Sequence, residues 1–181
     1  MVHNDVIIYI LQICSKFVIK EEKQWTNDSK PAASLDTASY LAAGGRTLDQ
    51  NVRSPAASSH TGSAIFGVGG ALDFDTLVAE RLLELRDIIS PIKVILVLPF
   101  EAIKADGLLN NRSVLQNRSK IDKIVYCSDA PSRNAFLYRD RHLVNGSAYC
   151  IGYCTRTIGG AAYTLRYARE QGLTVWNIGE E

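Results

Sequence analysis

The chain from residue 63 onward alternates short apolar runs with amphipathic stretches. The run SAIFGV is followed by DTLVAERLLELRDIIS, in which apolar residues recur every three or four positions with charges between them, as in a surface helix. The next run, KVILVLPF, is continuously apolar up to Pro99, which is typical of a parallel strand buried on both faces. This order predicts strand, helix and strand in succession.

The alternation continues to the C-terminus. A weaker helical pattern over residues 110–119 precedes the short strand KIVYC, and RNAFLYRDRHLVNGS predicts a helix that ends near Asn145 and Gly146. The strand AYCIGYC, the helix AAYTLRYAREQ and the strand LTVWNI complete the pattern. Strands that alternate with helices predict an α/β fold with parallel strands and helices on both faces. We expect a Rossmann-like three-layer sandwich with a mainly parallel sheet of about five strands or more.

Residues 1–62 have a different pattern. The apolar segment VIIYILQICSKFVI fits an amphipathic helix, with Ile7 and Cys14 on one face, and fits a β-strand equally well. Residues 26–63 are rich in Ser, Ala and Thr and contain Pro31, Pro55 and paired glycines, which predicts an extended loop or partly disordered linker. We therefore assign residues 1–62 to an N-terminal extension, an apolar segment followed by a flexible linker, and residues 63–181 to the Rossmann-like domain.

Charge and composition narrow the classes of partner. The 181 residues carry 20 basic and 19 acidic side chains, and a protein that binds bare phosphate backbone usually has a basic excess, so nucleic acid is a disfavoured partner. No apolar run reaches the roughly 20 residues that span a bilayer, and Val6–Ile19 lacks the flanks of a secretory signal. We expect a cytoplasmic protein without membrane association. The four cysteines form no CxxC pair, so we expect buried thiols and no metal site.

The first junction between a strand and a helix, GVGGALDFD, carries candidate chemistry. Gly69 and Gly70 allow a tight turn and a close approach to a ligand, while the helix behind them offers unpaired N–H groups and the positive end of its dipole. Asp75 fits the N-cap of a helix beginning at Thr76, and it fits equally a carboxylate directed at ribose hydroxyls. The spacing is not the GxGxxG of dinucleotide-binding proteins.

The second junction, TRTIGGAAYT, has the same character. Gly159 and Gly160 turn the chain into a helix, so that backbone N–H groups and the hydroxyl of Thr157 or Thr164 are placed to bind a phosphate, with Arg156 nearby. Because ligands of open parallel sheets bind at the carboxyl ends of the strands, we expect the two junctions to form one anion-binding pocket.

Four segments, in order, resemble the YpsA-like branch of the SLOG superfamily, which also includes the LOG enzymes and the DprA/Smf proteins. These segments are FGVGGALDFDTLVAERLLEL, VILVLPF, YRDRHLVNGSAYCIGYC and IGGAAYTLRYAREQGLTVWNI. The resemblance covers about Ser63 to Ile178. It implies a Rossmann-like fold and a site for a nucleotide or an ADP-ribose-like ligand.

The resemblance assigns site residues position by position. Its GGAxGxD-like loop falls on residues 69–75, with Asp73 where a glycine is common. Its RNRxxVDxS-like segment begins at Arg139, with Asp140 in place of an amide. Its GGT-like turn falls on residues 159–161, with Ala161 in place of threonine. With the hydroxyls of the second junction, the expected ligand-binding residues are Gly69, Gly70, Asp73, Asp75, Arg139, Thr157, Gly159, Gly160, Ala161 and Thr164.

Three functions remain open at this stage. The leading one is the binding or sensing of a nucleotide-derived or other phosphorylated small molecule. The second is a LOG-like phosphoribohydrolase acting on nucleoside monophosphates, which needs a poised carboxylate, and residues 161–169 contain no acid. The third is DprA-like binding of single-stranded DNA, which needs stacking platforms and a basic groove. The pattern leaves open both catalysis and assembly into a homo-oligomer.

Overall fold

A computed structural model describes residues 6–11, 49–50, 52, 64–69, 74–88, 92–101 and 118–180. In these residues the elements along the chain are β1 (Val6–Leu11), β2 (Ala64–Val68), α1 (Phe74–Arg86), β3 (Ile92–Leu98), β4 (Lys123–Tyr126), α2 (Ala135–Asn145), β5 (Tyr149–Gly152), α3 (Gly160–Glu170) and β6 (Thr174–Asn177). Short 3-10 turns lie at Arg118–Lys120, before β4, and at Ile178–Glu180, after β6.

The strands form one sheet in the order β4-β3-β2-β1-β5-β6, and every neighbouring pair is parallel. The prediction of an α/β protein with parallel strands is confirmed. It succeeded because β2 and β3 are continuous apolar runs. All side chains of such a run are buried only when both faces of the sheet are covered.

The first apolar segment contributes a central strand. Residues 6–11 pair with β2 on one side, where Tyr9 is opposite Gly67, and with β5 on the other, where Tyr9 is opposite Cys150. The sequence of this segment is compatible with a helix and with a strand. Pairing with the neighbouring strands makes it a strand. Our assignment of this segment to an extension outside the domain therefore needs correction, because β1 lies in the middle of the same sheet.

Part of the expected linker also packs on the domain. Asp49, Gln50 and Val52 are helical; Val52 is fully buried in the core, and Asp49 binds Arg81 at 2.6 Å. The small polar residues around them gave no periodic signal for this packing. The rest of residues 26–63, and the predicted helix at 110–119 as far as residue 117, lie outside the described residues.

Apolar side chains alternate between the two faces of the sheet. Phe66, Leu96 and Ile151 belong to one core cluster, whereas Val97 and Cys150 belong to the other, as the two-residue period of a strand requires. Helix α1 packs in the first cluster through Val78, Leu82 and Leu85. Helices α2 and α3 pack in the second through Leu143, Val144, Ala161, Leu165 and Ala168.

The order of the strands defines where a crevice forms. The chain passes from β2 through α1 to β3, away from β1, and from β5 through α3 to β6 in the opposite direction. Open parallel sheets have their ligand crevice at such a reversal, outside the carboxyl ends of the strands. None of the described helices has the length and apolar character needed to cross a membrane.

Candidate functional site

Both predicted bends lie at the carboxyl edge of the sheet. Gly69 directly follows β2, and the bend of residues 153–159 follows β5. Strands β2 and β5 both pair with β1, so their ends are about 10 Å apart, twice the usual spacing between strands. The fold thus brings the two bends to one region of the molecule.

The first bend is filled by an arginine. Gly69 is buried, and a Cβ added to it would lie 1.6 Å from Nη1 of Arg139 and 2.7 Å from Oδ2 of Asp75. Arg139 comes from the second turn of α2 and is itself buried. The bend therefore needs glycine because a guanidinium occupies the space of a side chain. Gly70 and Asp73, which we also expected in the site, lie outside the described residues.

Asp75 is the counter-ion of this arginine. Its Oδ2 lies 3.6 Å from Arg139 Nη1, and the two side chains are 1% and 8% exposed. Helix α1 begins at Phe74 rather than at Thr76, so Asp75 lies inside the first turn and not at the N-cap. A carboxylate this deeply buried is positioned to stabilise Arg139, and it does not face solvent where a ribose would bind.

A chain of polar contacts links the first bend to α3. Nε of Arg139 lies 3.0 Å from Oδ1 of Asp140. The Thr164 hydroxyl lies 3.3 Å from Oδ2 of Asp140 and 2.9 Å from the Gly160 carbonyl oxygen, so either oxygen can accept its proton. Thr164 is buried and therefore supports the first turn of α3 from within, away from the surface where we expected it to meet a phosphate.

The second bend is open to solvent. Gly159 precedes α3 with φ of 127°, a conformation that favours glycine, and as the N-cap residue it makes no side-chain cap. Thr157, Gly159 and Gly160 are exposed, and a Cβ added to Gly160 would meet nothing within 4 Å. The first N–H groups of a helix have no partner inside the helix, so this end presents donors and a positive dipole. Ala161 is instead buried in the core.

An asparagine that we did not predict fixes the start of the second bend. Asn177, the last residue of β6, accepts from Cys154 N at 2.7 Å and donates through Nδ2 to Cys154 O at 2.8 Å. Its Oδ1 also accepts from Gly179 N at 3.2 Å. The side chain thus pairs with the Cys154 backbone as a neighbouring strand would. The one signal in the sequence was an amide inside the apolar run LTVWNI.

Two further residues lie at the same edge. Phe136, in the first turn of α2, is 41% exposed, its ring is edge-on to Phe100, and Arg139 Cζ lies 5.8 Å from its centroid. Cys127 follows β4; burial raises the pKa of its thiol, the Arg139 charge opposes the rise, and the Asp140 charge adds to it. Sequence analysis gave neither residue a role, because an apolar residue and a thiol at these positions are typical of the core.

Arg141 is directed away from the site, as its two-residue spacing from Arg139 on a helix predicts. Its Nε donates to the Tyr163 hydroxyl at 3.0 Å, and its guanidinium lies 5.5 Å from the Tyr167 ring centroid. These contacts join the solvent-exposed sides of α2 and α3. Of this pair, Arg139 is the residue that reaches the first bend.

Comparison with known proteins adds no assignment. No protein-family model matches the chain, and no curated protein matches it. The resemblance to the YpsA-like branch stays a prediction from the motifs. Within the described residues, no three His, Cys, Asp or Glu side chains are grouped to hold a metal ion.

Proposed function

We propose that this chain binds a nucleotide-derived or other phosphorylated small molecule at the carboxyl edge of a Rossmann-like three-layer sandwich. One observation carries the proposal: α3 begins beside the reversal of strand order with an exposed end whose N-cap residue, Gly159, makes no side-chain cap. Helix N-termini of this kind bind phosphate through backbone N–H groups and the helix dipole.

The charges around the two bends favour the second as the phosphate site. Arg139 is flanked by two carboxylates, Asp75 and Asp140, so negative groups outnumber the positive one among these three side chains. A phosphate brought to Gly69 would meet this negative charge. The second bend carries exposed Arg156 and the positive end of α3. The phosphate therefore binds at Gly160, and the buried ion pairs support that turn through Thr164.

Hydrolysis of a nucleoside monophosphate is the weaker candidate. It needs a carboxylate that faces the ligand. Helix α3 has no acid in its first turn. Glu80 lies about 9 Å along α1 from Phe74, from the rise of 1.5 Å per residue, and exposed Glu84 binds Arg81 at 2.6 Å. Incubation with AMP is expected to release no adenine.

The test compares two substitutions of similar size at Gly160. Gly160→Asp places a carboxylate at the expected phosphate position, whereas Gly160→Asn adds the same volume without charge. Both side chains enter open space, and an acid in the first turn of a helix is favourable for folding, so both variants should keep the wild-type melting temperature. We expect calorimetric titration with AMP and ADP-ribose to show at least a tenfold weaker affinity for Gly160→Asp and nearly unchanged affinity for Gly160→Asn.

Three results would contradict the proposal. One is wild-type affinity in Gly160→Asp, which would show that the phosphate does not bind at the N-terminus of α3. Another is the absence of binding of AMP, ADP-ribose and ribose 5-phosphate to the wild-type protein at millimolar concentration. Equal losses in both variants would also count against it, because they would show that bulk and not charge disturbs the bend.

A further inference from the structure

Helices α2 and α3 are in register at the carboxyl edge. They pack side by side with both N-termini at that edge, and Asp140 and Thr164 meet at 3.3 Å. Phe136 precedes Asp140 by four residues, and Gly160 precedes Thr164 by four. Residues four apart lie on one face of a helix, so Phe136 and Gly160 both lie one turn nearer the edge than this contact. The axes of two packed helices are about 8–10 Å apart.

Phe136 presents an aromatic surface at this place. Its ring packs against Phe100 and the Arg139 guanidinium, so its position is fixed from the protein side, while 41% of the residue faces solvent. Side chains at the start of a helix are inclined toward its N-terminus, which here is the crevice side. The second bend adds the exposed apolar side chain of Ile158, directly before Gly159.

We infer that Phe136 is the stacking platform for the planar base of the ligand, and that the site takes nucleoside phosphates rather than phosphorylated sugars without a base. This inference rests on the proposed function, because it takes the phosphate to be bound at Gly160. A ribose that joins the base at Phe136 to the phosphate at Gly160 spans the separation of the helices. The Arg139 guanidinium beside the ring further fixes the aromatic platform that the base meets.

The experiment compares two probes on the intact protein. AMP has a base, and ribose 5-phosphate has the same sugar and phosphate without one. Phe136→Leu should weaken AMP binding about tenfold, within the range observed when a base loses an aromatic partner, and change ribose 5-phosphate binding less than twofold. Phe136→Tyr should restore AMP affinity. Tyr138→Leu is the matched control, because this residue is 57% exposed and lies about 200° around the same helix.

The outcomes separate this inference from the function on which it rests. If Phe136→Leu leaves AMP affinity unchanged while Gly160→Asp abolishes binding of both probes, the stacking role is overturned and the phosphate site stands. Weaker binding of both probes in Phe136→Leu also overturns the stacking role, because the effect then does not depend on the base. An equal loss of AMP affinity in Tyr138→Leu overturns it too, because the effect then does not depend on the position of the ring. If the wild-type protein binds neither probe, both ideas fall.

Discussion

The guanidinium of Arg139 lies where a side chain of residue 69 would be, 1.6 Å from the position of a Cβ added to Gly69. The two positions are 70 residues apart in sequence. The Arg139 guanidinium leaves no space for a side chain at residue 69, and a side chain there would displace the guanidinium. The glycine lets α2 approach the end of β2, and the arginine brings its ion pairs with Asp75 and Asp140 into the space between the two bends.

Gly69→Ala should therefore destabilise the protein. The added methyl group displaces the Arg139 guanidinium from Asp75 in a region where both side chains are buried, and overpacking of this kind costs about 1–3 kcal/mol. Chemical denaturation monitored by circular dichroism measures the loss. The control is Gly160→Ala, whose Cβ enters open space at the start of a helix; its free energy of unfolding should be unchanged or higher. Equal stability of the two variants would contradict this account of Gly69.

The sequence predicted the strands and helices well because the apolar runs and their spacing determine local structure. Strands β2 to β6 each coincide with an apolar run, and glycines after β2 and before α3 marked both bends. Strand β1 was ambiguous because VIIYILQICSKFVI satisfies helical and strand patterns, and only pairing with β2 and β5 decides between them.

Contacts between distant residues were not predictable from one sequence. The glycine motif indicated an open anion site at residue 69, but the approach of α2 fills it with Arg139. The hydroxyl of Thr164 looked available for phosphate, but its orientation depends on Asp140 from another helix. Asn177 had no signal beyond its polarity, because its role depends on how the end of β6 meets Cys154.

Removing the charge of Asp75 tests the buried ion pair. Asp75→Asn keeps the shape of the side chain but takes one negative charge from beside Arg139, so we expect a loss of about 1–3 kcal/mol in the free energy of unfolding. The pair Arg81–Glu84 is exposed, and Glu84→Gln should change stability by at most about 0.5 kcal/mol. Urea denaturation of both variants measures the difference. A loss in Asp75→Asn no larger than that in Glu84→Gln would show that the pair has no structural role.

The Asn177 side chain should hold the second bend in place. Asn177→Ala leaves the backbone N–H and C=O of Cys154 without their described partners, which costs about 1–3 kcal/mol. Hydrogen exchange at the Cys154 amide should become faster, and AMP should bind more weakly. Asn134→Ala is the control, since this exposed asparagine precedes α2 without forming a side-chain cap. Protection of the Cys154 amide that survives in Asn177→Ala would count against this role.

The buried thiol of Cys150 should make the protein less stable in alkaline solution. Burial raises the pKa of this thiol to about 12, from an ordinary value of 9.0, with a smaller opposing effect of Arg169. Below pH 9 the thiol is neutral in both states and its contribution is fully present. Between pH 9 and 12 the unfolded chain loses the proton while the folded protein keeps it, so the free energy of unfolding falls by about 1.4 kcal/mol per pH unit from this group.

The contribution of Cys150 is isolated by comparing pH profiles. Other groups also titrate in this range, but they are common to the wild-type protein and to Cys150→Ala. We expect the stability difference between the two proteins to be constant from pH 6 to 8.5 and to narrow steadily above pH 9, because only the wild-type protein must keep a buried thiol protonated. Equilibrium urea unfolding under reducing conditions at each pH measures it. Parallel profiles up to pH 11 would show that the Cys150 thiol ionises as readily in the folded protein as in the unfolded chain.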